Sequence, residues 1–423
     1  KPEENERLCR IGPGTPMGEV LRRYWIPALL SEEVPEPDCP PVRVRLLGEN
    51  LVAFRDTKGR VGLIDRYCPH RRPELFWGRN EECGLRCVYH GWKFDVEGNC
   101  VDMPNEPATS NFKNKVKIKA YPTYEAGGII WTYMGPKEEQ PPYPDYEWLR
   151  APATHLHVSK TEQACNWVQA LEGGIDTSHS SFAHNNNIAD KNALRTRAPS
   201  PKLEVEKREH GFTYVGIRDL KEDGLYVRAY QFIMPFQQLR GQTIQWHDGS
   251  REKYPTVRGH LWVPIDDEHT MVYNFKYSTE PEIALDPEFV LQEEIKFGRG
   301  PDDYIPGTYR LKRNPSNDYL IDREVQRTRT FTGIEGINTQ DMALQETMEK
   351  PFVDRSKERL GTADSAIIAA RQLLLEAARE VEQGKRPRGV DPSTHGNIRA
   401  YDKIIPPGAN WREELKDDLV AKY

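Results

Sequence analysis

The 423-residue sequence predicts an α+β chain. An all-β N-terminal region should precede a larger domain in which an antiparallel sheet packs on helices. Three observations predict this. From about Pro40 to Trp131 the chain reads as short alternating strands punctuated by turn residues. The stretch QPPYPDY, Gln140 to Tyr146, then breaks regular structure. Beyond it come further strand pairs and one strongly helical run, Ile367 to Glu382.

Taken in order, residues 1–39 read as a helical lead-in. VRVRLLG and LVAFRDTKGRVGLID read as strands, the latter turning at Lys58-Gly59. VKIKAY, Val116 to Tyr121, alternates apolar residues with lysine, as a half-buried strand does. Gly127 to Tyr133, GGIIWTY, is a strand entered through glycine. Residues 40–140 thus form one domain. After the proline-rich break, His155 to Ser159 is strand-like and Thr161 to about Gly173 is predicted helical. Leu203 to Gln245 reads as several antiparallel strands separated by charged turns such as Lys221-Glu222-Asp223-Gly224. Arg258 to Pro264 and Thr270 to Tyr277 read as two more. The helix from Ile367 can be capped by Asp364 or Ser365 and ended by Gly384. Residues 147–385 are expected to be the second domain. Residues 386–423, rich in Pro and Gly, are expected to lie over the surface or a neighbouring subunit.

Composition excludes several classes. The chain is 37 % hydrophobic and 29 % charged, with a formal net charge of −6, so nothing favours nucleic acid or an anionic membrane. No apolar run approaches the roughly 20 residues of a membrane span. The polar start, KPEENERLCRIG, lacks a signal-peptide pattern, and a cytoplasmic location is expected. Seven cysteines, odd and scattered, argue against a disulfide framework. No GxGxxG or P-loop signals a bound nucleotide.

The strongest motif is CPHRRPELFWGRNEECGLRCVYHGW, Cys68 to Trp92. Cys68-x-His70 and Cys87-x-x-His90 place one thiolate and one imidazole on each of two tight loops. Zinc structural sites favour CxxC pairs. One Cys and one His per loop suits a two-iron, two-sulfide cluster, in which the thiolates bind one iron and the imidazoles the other. Cys83 and Cys100 fall outside the pattern and read as packing residues, as do Cys9, Cys39 and Cys165.

A second stretch, GGIDTSHSSFAH from Gly173 to His184, holds Asp176, His179 and His184. Two imidazoles and a carboxylate form the facial triad of non-haem Fe(II) sites, and Asp176 is the convenient carboxylate. On an ideal helix, however, His184 lies about 140° round from His179. The two meet at one metal only if the helix bulges or ends between them.

These motifs resemble those of the Rieske non-haem iron oxygenases, in the branch of phthalate-dioxygenase-like enzymes and aryl O-demethylases. Arg10 to Leu29 (RIGPGTPMGEVLRRYWIPAL) and Asp354 to Ile367 (DRSKERLGTADSAI) resemble that branch as well. The resemblance implies an all-β Rieske [2Fe-2S] domain with Cys68, His70, Cys87 and His90 as cluster ligands, followed by a helix-grip catalytic domain with one mononuclear Fe(II). The family pattern Asn-Trp, Glu, Asp-x-x-His-x-x-x-x-His matches Asn166-Trp167, Glu172, Asp176, His179 and His184. It implies that His179 and His184 bind iron. It also implies that Asp176 bridges an iron-ligand His to a cluster-ligand His of a neighbouring subunit. The third ligand then comes from a distant helix: Asp341 in NTQDMALQE, with Glu346, Glu335 and Glu349 as rivals.

The implied protein is the terminal oxygenase of a multicomponent system. It takes electrons from a separate reductase, with or without a ferredoxin, and uses O₂ to hydroxylate an aromatic carboxylate by phthalate-like ring dihydroxylation. O-demethylation of a methoxylated lignin-derived acid is the alternative, and a Rieske electron carrier with a binding domain a remote one. A homotrimer or a dimer of trimers is implied. An anionic substrate calls for an arginine fork, for which Arg218, Arg228, Arg240, Arg258, Arg195 and Arg197 are candidates. The histidines at 155, 157, 210, 247, 260, 269 and 395 lack paired spacing and read as ordinary core or surface residues.

Overall fold

A computed structural model describes all of residues 1–423. Two helices, Pro2–Cys9 and Pro16–Leu21, open the chain. Strand β1 (Trp25–Leu30) follows, so the lead-in is not wholly helical. Its residues are buried on both faces because β1 pairs with β11 on one side and packs into the core on the other.

The N-terminal region builds three small antiparallel sheets. β2 (Val42–Leu46), β3 (Glu49–Arg55) and β4 (Val61–Asp65) form a meander completed by β9 (Ala120–Tyr121). The predicted 116–121 strand is thus only two residues long, because Phe112–Lys115 is a 3₁₀ turn and Lys117 makes an isolated bridge to Asn99. β5 (Arg79–Glu81), β6 (Gly84–Arg86), β7 (Lys93–Phe94) and β8 (Cys100–Asp102) form the sheet that carries the two Cys/His loops. β10 (Thr123–Ala126) turns into β11 (Ile129–Tyr133) through Gly127 and Gly128, both at positive φ. That backbone suits the tight primed hairpin turn seen there.

Beyond the proline-rich segment lies an eight-stranded antiparallel sheet. It contains β12 (Leu156–Gln163), β13 (Lys202–Arg208), β14 (Gly211–Asp219), β15 (Leu225–Ile233), β16 (Gln237–Gly241), β17 (Thr256–Asp266) and β18 (His269–Ser278). Its order is β12-β18-β17-β16-β15-β14-β13. β15 changes partner midway. Gln231–Ile233 pairs with β16, while Leu225–Ala229 pairs with β19 (Tyr401–Ile405). The C-terminal tail therefore supplies a strand instead of lying over the surface. Its Tyr401, Ile404 and Ile405 are buried, which gives the segment an apolar side to bury in the sheet.

Two helices, Trp167–Ile175 and Ser365–Glu382, pack against this sheet and each other, and a third, Ile337–Glu346, packs on the first of them. The predicted helix from Thr161 is corrected: residues to Gln163 belong to β12, and the helix starts only at Trp167. The Asn166 side chain caps it by accepting from the Val168 N–H, a contact of about 1 kcal/mol. Asn166 also donates to the carbonyls of Cys9 and Asp267. A large core runs from the N-terminal helices through β1 into the catalytic sheet, while a separate core of twelve residues sits beneath the Cys/His loops.

Candidate active site

The loops carrying Cys68 and Cys87 are tight. The Arg72 N–H donates to the Cys68 carbonyl, and the Gly91 N–H to the Cys87 carbonyl. Gly91 sits at φ +81°, and a Cβ there would meet Pro104 Cγ at 2.6 Å. Both sulfurs are buried in the small core. A hydrogen bond from Cys68 pushes the Cys87 thiol down to about 6, helped by the backbone N–H groups of Tyr89 and His90 and opposed by burial. Cys68, as the donor, is pushed up. His70 Nδ1 lies 3.1 Å from His90 Nδ1. The His70 ring stacks on Trp92 at 4.4 Å, and the Trp92 Nε1–H donates to Asn105.

Thiols therefore pair with each other, and imidazoles with each other. The four do not converge on one point. In the whole chain, the one group of three or more such ligand atoms lying within 4.8 Å of one another is elsewhere. A single tetrahedral zinc would have drawn all four together. Two separate pairs fit the two irons of a [2Fe-2S] cluster.

The convergent group is His179, His184 and Asp341. The two Nε2 atoms lie 3.1 Å apart, and Asp341 Oδ1 lies 3.3 Å from His179 Nε2 and 3.1 Å from His184 Nε2. Neighbouring ligands of a metal with bonds of about 2.1 Å stand about 3 Å apart. The donor set thus suits one divalent iron and leaves one side open. Of the rivals, Glu346 accepts from the Ala164 N–H, Glu335 pairs with Arg313, and Glu349 with Lys357.

The backbone makes this convergence possible by ending the helix early. The Trp167–Ile175 helix stops at Asp176, which is extended, and His179 starts a separate 3₁₀ turn. Asp176 and His179 therefore do not share a helix face. Asp176 Oδ1 instead accepts from the N–H groups of Ser178 and His179 and from the Ser178 hydroxyl. Burial opposes ionisation of Asp176, but His179 and those N–H groups outweigh it and hold its carboxyl below the usual range.

His179 Nδ1 is buried without a hydrogen-bond partner, 3.6 Å from Asp176 Oδ1. Burial pushes the His179 imidazole down, but Asp176 and Asp341 hold it up at about 10. His184 Nδ1 lies 2.8 Å from Gln340 Oε1, and the Gln340 amide donates to Asn186 and to the Ile334 carbonyl. With its amide so committed, Gln340 must present oxygen. His184 therefore donates from Nδ1 and keeps Nε2 free for a metal.

The triad opens on a cavity of about 510 Å³, within the usual range for a small-molecule site. Gly173 and Gly174, which line it, allow close approach to the Ile337–Glu346 helix and to β17. A Cβ on Gly174 would fall 1.9 Å from Trp262 Cζ2, and one on Gly173 1.9 Å from Gln345 Nε2. The predicted arginines divide cleanly. Arg258 pairs with Glu293 and Arg197 with Asp223. Arg218 clamps the turn bearing His179, donating to the Thr177 carbonyl, the Ser181 hydroxyl and the Ala198 carbonyl. Only Arg195, Arg228 and Arg240 line the cavity, and none of the three has a carboxylate partner. Lys253 and Lys296 also line it. His260, read from sequence as ordinary, lines it too. No local spacing marks that role, because its partners Arg240 and Asn274 lie on the two neighbouring strands.

Comparison with known proteins finds relatives over the whole chain. Residues 24–122 match the Rieske [2Fe-2S] domain family, and residues 132–421 match the family described as LigXa C-terminal domain like. The chain is 40 % identical to the phthalate 4,5-dioxygenase oxygenase subunit of Pseudomonas putida, over all of this chain and 95 % of that protein. It is 32 % identical to the 5,5'-dehydrodivanillate O-demethylase oxygenase subunit of Sphingobium sp., over 99 % of this chain and 89 % of that one. In fold it resembles NdmA of Pseudomonas putida CBB5 with a TM-score of 0.60 at 18 % identity, over 93 % of this chain and 100 % of the other.

Proposed function

Because the chain belongs to the Rieske non-haem iron oxygenases, as an oxygenase subunit, we propose that it hydroxylates the ring of an aromatic carboxylate of the phthalate kind. The family carries one Rieske [2Fe-2S] cluster and one mononuclear iron. When bound, the cluster passes single electrons and the iron activates O₂. In this reading Cys68 and Cys87 hold one iron of the cluster and His70 and His90 the other. His179, His184 and Asp341 hold the mononuclear iron. Residues 40–140 are the Rieske domain, with 1–39 leading in, and residues 147–385 are the catalytic domain, with 386–423 as its extension.

One observation carries the substrate class: three guanidiniums without carboxylate partners line the same cavity as the His179, His184 and Asp341 cluster. Buried and half-buried guanidiniums with no ion-pair partner are costly, and a bound carboxylate supplies what they lack. Electrons come from a separate reductase, directly or through a ferredoxin, since no nucleotide-binding motif is present in the sequence. The alternative, O-demethylation of a methoxylated aromatic acid, is favoured by the 32 % identity to the dehydrodivanillate enzyme.

The same reading makes the protein a cytoplasmic homotrimer or dimer of trimers, in which Asp176 accepts from a cluster histidine of a second copy. Apolar side chains exposed beside both candidate metal sites support this. Val88 and Tyr89 flank His90 at 58 % and 56 % exposure, and Phe182 and Phe331, at 50 % and 51 %, lie near the iron site. The test is O₂ consumption by the iron-loaded protein with a surrogate reductase across a panel of aromatic acids. Consumption dependent on a benzenecarboxylate supports the proposal. Uptake indifferent to every aromatic acid would sink it.

A further inference from the structure

Behind one wall of the catalytic cavity lies a second group of charges, which the proposed reaction does not use. Strands β12, β18 and β17 place His157, Lys276 and Arg258 in one row, since Lys276 is the register partner of both others. Residues directly opposite each other share a face of the sheet. The helix Pro287–Lys296 lies over that row. Its Phe289 ring is 5.9 Å from Lys276 Nζ, its Glu293 pairs with Arg258, and its Glu294 reaches Lys276. Arg299 follows the helix. The Arg258 and Arg299 guanidiniums lie 4.7 and 4.8 Å from the centre of the Phe297 ring, and Phe297 lines the cavity.

The charges in this group do not balance. Arg258 has Glu293 to itself. Arg299 Nε donates to Glu294 Oε2 at 3.0 Å, and the Ser159 hydroxyl donates to the same oxygen. Lys276 has only the other oxygen of that carboxylate, 3.5 Å away. One glutamate thus serves two cations. Lys276, Arg299 and Glu294 are 1 %, 6 % and 7 % exposed, so solvent screens the surplus positive charge poorly.

The donors are unmet as well. Lys276 Nζ, Arg258 Nε and Arg299 Nη1 are all buried without a hydrogen-bond partner. Buried polar groups are normally paired. Glu294 Oε1 also lacks a hydrogen bond, but its carboxylate is already shared. Three unpaired donors on cationic side chains call for an acceptor with negative charge, and a surplus of one unit fits a monovalent ion. Burial, then Arg258, push the Lys276 ammonium down to about 7, with Arg299 adding to this and Glu294 and Glu293 opposing it. An anion beside Lys276 would keep that proton in place. His157, at the outer end of the row and partly exposed, marks the side nearest solvent.

We propose that Lys276, Arg258 and Arg299 hold a small monovalent inorganic anion, such as chloride, as a structural ligand behind the cavity wall. The site is separate from the one that takes the aromatic acid, and it stands or falls independently of that reading.

The test uses bromide as the probe on the iron-loaded enzyme. Crystals soaked in bromide should show an anomalous peak beside Lys276 Nζ and Arg299 Nη1. In solution, replacing gluconate by about 100 mM bromide at constant ionic strength should raise the thermal unfolding midpoint by about 2 °C or more. Lys276→Met removes the surplus cation and should abolish that rise. Glu294→Gln removes the shared carboxylate and should reach the same rise at about 10-fold lower bromide. A wild-type midpoint that is equal in bromide and gluconate overturns the inference, as does the lack of a peak at this place. A peak with no change in midpoint means an adventitious ion only, and overturns it too. An undiminished rise in Lys276→Met also overturns it.

Discussion

Asp176 and Asp341 are both aspartates beside His179, and their surroundings separate their roles. Asp341 turns an oxygen to the two Nε2 atoms, where a metal would sit. Asp176 spends Oδ1 on backbone N–H groups and lies on the Nδ1 side of His179. Asp341→Ala or His179→Ala should therefore lose the mononuclear iron, measured by metal analysis, while the visible Rieske spectrum persists. Asp176→Asn should keep both metals and lose turnover by about 100-fold or more; wild-type turnover at normal iron content would remove its bridging role. The His pair could be read from sequence because its ligands sit five residues apart on one turn. Asp341 was reachable only through family resemblance, since nothing local distinguishes it from Glu346 or Glu335. Which arginines remain free could not be read at all. Arg258 is neutralised by a glutamate 35 residues away, a pairing that only the fold creates.

At the scale of elements, the site depends on where one helix stops. Gly174 lets Trp262 of β17 press against the end of the Trp167–Ile175 helix. Gly174→Ala should destabilise the fold by about 1–3 kcal/mol through overpacking, seen as a lowered midpoint in denaturant melts, and should disturb iron binding in the same variant. Gln340, on the Ile337–Glu346 helix, holds His184 by its far nitrogen. Gln340→Leu should lower iron affinity about 10- to 100-fold with little effect on the cluster spectrum. The alternation in β2, β3, β4, β17 and β18 was legible because each has a sheet partner close in sequence. Thr161–Gln163 reads locally as helix, but its state is set by β18, more than a hundred residues on. β19 carries no local signal for the same reason, its partner β15 lying far upstream.

At the scale of the molecule, a cluster-binding domain with its own small core is joined to a catalytic sheet by a continuous larger one. An electron carrier has no use for a separate three-ligand group opening on a cavity lined by unpaired arginines. The division into two metal centres was legible, since both motifs are short and local. The chemistry at the second centre was not, because ring dihydroxylation and O-demethylation share its ligands. Sedimentation of the purified protein should show a trimer or a hexamer, and a monomer at micromolar concentration would remove the subunit-bridging role of Asp176. The most direct test of the central claim is mass analysis of the product formed under ¹⁸O₂ from a benzenedicarboxylate with a surrogate reductase. A cis-dihydrodiol carrying both labelled oxygens is predicted. Formaldehyde released from a methoxylated acid, with no labelled diol from any dicarboxylate, would contradict it.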